Sequence, residues 1–78
     1  MKKIKISHFE FEYNPIMDCA FDEKQNRLVF LSENYGDVHL AIEVKGTTVT
    51  FQPKWNVNIT ADEQQPNKYI LDVNTTDF

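Results

Sequence analysis

A small all-β domain is the fold this sequence predicts, built as an antiparallel barrel or two-layer sandwich of five to seven strands. Three observations carry that expectation. From Val38 to Ile59 the apolar residues recur at alternate positions: Val38, Leu40, Ile42 and Val44, then Val49, Phe51, Pro53, Trp55, Val57 and Ile59. This is the period of strands with one buried face. Turn-forming residues arrive roughly every 8–12 positions, the cadence of short antiparallel strands. Ten of the 78 residues are aromatic, and each buried ring removes ~150–250 Å² from water. One core can therefore close without a disulfide or metal staple, and the length allows only a single domain over 1–78.

The elements follow in chain order. Residues 2–13 read as a first strand whose apolar parity changes between Ile4/Ile6 and Phe9/Phe11/Tyr13, so a bulge near Ser7-His8 is expected. Residues 14–26 admit two readings. Asn14 and Pro15 followed by Ile16, Met17, Ala20 and Phe21 suit a short helix near residues 15–24, which would make the fold α+β. Met17, Cys19 and Phe21 on one side, with Asp18, Ala20 and Asp22 on the other, suit a strand. The hairpin is preferred, because residues 27–32, with Leu28-Val29-Phe30-Leu31, form a convincing return strand.

Asn34-Tyr35-Gly36-Asp37 is a turn. A strand over 38–45 then meets a tight reversal at Gly46, with glycine supplying the left-handed conformation. Pro53 lacks a donor, so residues 47–60 form an edge strand or two strands separated at Gln52-Pro53-Lys54. Thr60-Ala61-Asp62-Glu63 fits either a capping box or a polar loop. Residues 69–73 form the last strand, and 74–78 read as a flexible tail. Parity with Phe51 and Val57 places Trp55 in the core.

The chain carries eight basic and twelve acidic residues, for a net charge of −4. Three of the lysines fall in the first five positions, and from Ile6 onward five basic residues face twelve acids, a balance of −7. Such a surface repels phosphate backbones, which argues against direct nucleic-acid binding and for a protein partner with a basic surface. No secretory signal and no apolar run of ~20 residues is present, so a soluble, cytoplasmic protein without membrane contact is expected. One unpaired cysteine agrees with that compartment.

No catalytic, cofactor or metal motif overlies the strands. His8, Glu10 and Glu12 alternate along one strand side, with steps of ~6.6–7 Å that do not chelate one ion. Cys19 reads as a structural thiol, and Gly36 and Gly46 cannot form a phosphate loop. What remains is a polar face, including His39, Glu43, Thr48, Thr50, Gln52, Asn56, Asn58 and Thr60, together with acidic turns.

The expected function is therefore a non-enzymatic acidic module that inhibits or modulates a protein partner, without a cofactor. Glu10, Glu12, Tyr35, Asp37, His39, Glu43, Asn56 and Asn58 are its candidate contact residues. Its carboxylates could imitate nucleic-acid charge, and Tyr13 and Tyr35 are further aromatic anchors. In size and style the chain is similar to small phage or mobile-element proteins. The alternative is a small structural subunit of a virion or other self-assembling complex, and open sheet edges invite a homodimer.

Overall fold

A computed structural model describes residues 1–32 and 36–73, and they form eight strands in two four-stranded sheets with no helix. The strands are β1 (Lys2–Ile6), β2 (Phe9–Tyr13), β3 (Met17–Asp22), β4 (Arg27–Ser32), β5 (Val38–Lys45), β6 (Thr48–Pro53), β7 (Val57–Ala61) and β8 (Lys68–Val73). One sheet has the order β1-β2-β8-β7 and the other β3-β4-β5-β6. The smallest dimension is 18 Å, which accommodates two layers spaced ~10 Å apart. The expected two-layer sandwich is thus the architecture.

The second sheet is a plain meander of three hairpins, and local chemistry sets the β3–β4 and β5–β6 reversals. Asp22 Oδ1 accepts from the backbone nitrogens of Lys24 and Gln25 (3.1 and 3.3 Å), and Asn26 takes φ 53° to start β4. Lys45 pairs with Thr48 across a two-residue turn in which Gly46 has φ 58°. The first sheet is assembled from two hairpins distant in sequence. β1 pairs with β2 and β7 with β8, both antiparallel, and β2 and β8 join them side by side in parallel.

Alternate residues of both sheets meet in the core. Phe9, Phe11, Tyr13, Leu71 and Val73 come from the first sheet, and Met17, Leu28, Phe30, Leu40 and Ile42 from the second. Tyr13 packs edge-on against Phe30 of β4, and Phe11 edge-on against Phe51 of β6 (5.2 and 6.3 Å between centroids). β2 therefore runs across the strands of the opposite sheet. The chain changes sheet at two corners, residues 14–16 and 54–56. At the first, Asn14 Oδ1 accepts from Ile16 N (3.0 Å) and its side-chain nitrogen donates to Asp72 (2.8 Å).

Several expectations are corrected. There are eight strands rather than five to seven, because residues 2–13 are two strands. The parity change marks a chain reversal, not a bulge: Ile4 and Ile6 pair with Phe11 and Phe9, and Ser7 turns the backbone at φ 54°. The β2/β8 pair is parallel rather than antiparallel. Other expectations are met: β3 and β4 form the preferred hairpin, with no helix over residues 15–24, and of the two readings offered from Thr60 the polar loop is found, beginning after Ala61, where Asp62 Oδ1 accepts from Gln64 N (2.8 Å). Pro53 fits both halves of its expectation, ending edge strand β6 before the corner that leads to β7. Tyr13 is a core residue rather than an anchor. Trp55 lies outside the core, 42% exposed. The turn residues 33–35 and the tail 74–78 lie outside the described residues.

Candidate functional site

The candidate contact residues do not gather on one face. Glu10, Glu12 and Asn58 sit on the outer side of the first sheet, Glu43 on the outer side of the second, Asp37 before β5 and Asn56 at the corner. Tyr35 lies outside the described residues. His39 is fully buried, so it supports a surface rather than presenting itself.

On the first sheet the acids are engaged by lysines. Antiparallel register sets Lys3 opposite Glu12 and Lys5 opposite Glu10, while parallel register sets Lys68 opposite Glu10. The Lys68 ammonium lies 2.9 Å from Glu12 and 3.9 Å from both Glu10 and Asp62, and Lys3 is 3.5 Å from Glu12. The hydrogen bond from Lys68 holds the Glu12 carboxyl below the usual carboxylate range. In return, Glu12 raises Lys68 above an ordinary lysine. The charge separation along the sequence does not survive folding, since the amino-terminal lysines return to the acids, Lys2 reaching Asp18 (3.7 Å) as well. These carboxylates form a cross-strand ionic ladder, not an open row of anions.

The outer side of the second sheet differs. β4 carries the unbroken apolar run Leu28-Val29-Phe30-Leu31, so while Leu28 and Phe30 fill the core, Val29 and Leu31 face outward, half-buried. Val29 pairs with Ala20 of β3 and Ala41 of β5, and Leu31 with Val38. A strip of small and branched apolar residues therefore runs over three strands. Arg27 crosses β5 above Ala41, donating from Nη1 to Gln52 of β6 (3.2 Å) while its Nε lies 3.6 Å from Asp22.

Trp55 stands at the end of this strip, and its mounting is built from the backbone upward. The register steps from Phe30↔Leu40 to Leu31↔Val38, so His39 is an extra residue in β5, a bulge that re-aims its side chain. The His39 carbonyl accepts from both Lys54 N and Trp55 N (2.8 and 3.1 Å). Its Nδ1 lies 2.9 Å from the Trp55 carbonyl, and a nitrogen facing a carbonyl oxygen must carry the proton, so Nδ1 donates. The indole stacks on the imidazole at 4.9 Å and 15°. Asn56, with φ 52°, then turns the chain into β7.

Sequence parity fails for Trp55 because the residue lies in the corner 54–56 between β6 and β7, outside any strand, where the left-handed Asn56 turns the chain. The outward strip had a visible signal, the four-residue apolar run, which implies two buried or half-buried faces. Cys19, on the core-facing side of β3, is half-buried, and burial pushes its thiol up to about 11. That fits an inert packing residue. Among the described residues no cluster of side chains has the makeup of a metal site, and no helix is long and apolar enough to cross a membrane. No protein-family model matches the chain, and neither curated proteins nor solved structures yield a match to it.

Proposed function

We propose that this chain is a non-enzymatic, cytoplasmic protein-binding module that modulates a partner through the outer side of its second sheet, with Trp55 as the anchor. The exposed, stacked indole is the observation that carries the reading. Tryptophan is among the residues most enriched at interface hot spots, and a ring already fixed in place loses little entropy on binding. The half-buried Val29, Leu31 and Val38 supply apolar area beside it. Asp18, Asp22 and Glu43 around it pair with Lys2, Arg27 and Lys45, so the preference for a partner with a basic rim rests on the net charge of −4.

The test compares immobilised wild type with Trp55→Ala as bait for cell lysate at low and raised salt. A partner should be retained by wild type at low salt and less at high salt. Trp55→Ala should weaken it by about 30-fold, the equivalent of a hot spot worth ~2 kcal/mol. Equal retention by both baits, or none at low salt, would sink the reading. The alternative, a structural subunit of an assembly, is favoured by a separate feature, the exposed Phe21 on an edge strand.

A further inference from the structure

We infer that Lys68 is a latch holding the 62–67 loop against β2 at neutral pH, and that acid releases it, opening the Lys68 end of the β2/β8 seam while the rest of the sandwich stays closed. The inference is independent of the Trp55 surface.

The seam joins the two hairpins of the first sheet and is bounded by two backbone hydrogen bonds, Glu10 N donating to Asn67 O (2.9 Å) and Asn14 N to Leu71 O (3.1 Å). Its two ends are built differently. Beyond Lys68 the seam rests on the core: Leu71 and Val73 are buried, and the Tyr69 ring is held by Phe11 and Phe51 (5.8 and 5.0 Å between centroids). Before it, the 62–67 loop is largely exposed, Asn67 takes φ 66°, and the bond from Lys68 N to Gln65 O is long at 3.4 Å. Charge holds this end where packing does not.

The Lys68 ammonium is the centre of that charge, 2.9 Å from Glu12 and 3.9 Å from both Glu10 and Asp62. Only 14% of its side chain is exposed, so water replaces those partners poorly. From β1, Lys3 lies 3.5 Å from Glu12 and Lys5 stands opposite Glu10, with His8 in the adjoining turn. On β7 the outward Asn58 and Thr60 carry no charge. Glu63 is exposed in the loop, and Asp72, further along β8, is bonded to Asn14 (2.8 Å).

At neutral pH, then, the ammoniums of Lys3, Lys5 and Lys68 face the carboxylates of Glu10, Glu12 and Asp62. Protonating the acids leaves three cations together, one of them shielded from water. A single exposed pair contributes little, but here one cation serves three anions and their loss is shared. The Glu12 carboxyl, held below its ordinary 4.5 mainly by the Lys68 hydrogen bond, contributes above 4.5 and ceases to do so as pH falls through its folded value. Opening stops at Tyr69, where the aromatic contacts begin.

Hydrogen exchange reads the latch through the Glu10 and Asp62 amides, which donate to Asn67 O and Lys68 O (both 2.9 Å). Their protection is taken relative to the β4 amides at about pH 6 and about pH 3, on either side of the ordinary carboxylate range. In wild type this ratio should fall by about threefold or more in acid, the scale of a small ionic network. Lys68→Arg should keep the fall. Lys68→Met, which leaves the acids facing one another, should abolish or reverse it. Should Lys68→Met fail to fold, Glu12→Gln takes its place and should show a smaller fall than wild type. A wild-type ratio that does not move, or a fall as large in the deciding variant, overturns the inference.

Discussion

At Gly46 the backbone adopts φ 58° in a two-residue turn, and an added Cβ would meet nothing within 4 Å. Gly46→Ala therefore isolates the cost of the left-handed conformation, about 1–2 kcal/mol. Urea denaturation should read that loss, and an unchanged midpoint would exclude the left-handed turn. Gly46 was legible because glycine between two alternating runs has few other uses. Asn26, Asn56 and Asn67 share the left-handed region with φ 53°, 52° and 66°, and asparagine tolerates it better than most residues. Ser7 does so as well but carries no such signal, and for that reason the first reversal was read as a bulge. Trp55 is misplaced for a related cause, since it stands in a corner between two strands, where alternation no longer assigns a face, and the left-handed Asn56 beside it leaves the period of the flanking residues unbroken in the sequence.

Among the elements, the hairpin of β3 and β4 was recoverable from alternation, and the outward strip on β4 from an apolar run too dense for one face. The ionic ladder of β1, β2 and β8 was not, because it depends on which strands become neighbours. Its pH behaviour follows from the two shifted groups. Glu12 has a folded pKa below its ordinary 4.5, so its stabilisation is present above 4.5 and lost as pH falls through the folded value. Lys68 is raised above 10.5, so its contribution is complete below 10.5 and lost as pH rises through its folded value. Both act together at neutral pH. Glu12→Gln should lower Tm modestly at pH 7, and the gap to wild type should close as the pH is taken below 4.5. A gap that persists in acid would mean that packing, not charge, is what the substitution removed.

For the molecule as a whole, the two sheets differ in how far the chain must search to build them. β3 to β6 pair in sequence order, whereas Glu10 and Lys68, partners across β2 and β8, lie 58 positions apart. No local pattern records that junction, so its parallel direction could not be read in advance. Loop-closure entropy makes such contacts late to form. In a denaturant chevron, Ile42→Val in the meander should mainly slow folding, while Val73→Ala in β8 should mainly speed unfolding. The reverse partition would place the nucleus in the two-hairpin sheet. The stacked corner of Trp55 on His39 has one more use. Trp55 is the single tryptophan of the chain, so every photon of indole emission originates beside the bulge where the chain crosses between layers. Its contact with an imidazole makes that emission sensitive to separation of the two rings, and the protein carries its own optical gauge of whether that corner is closed.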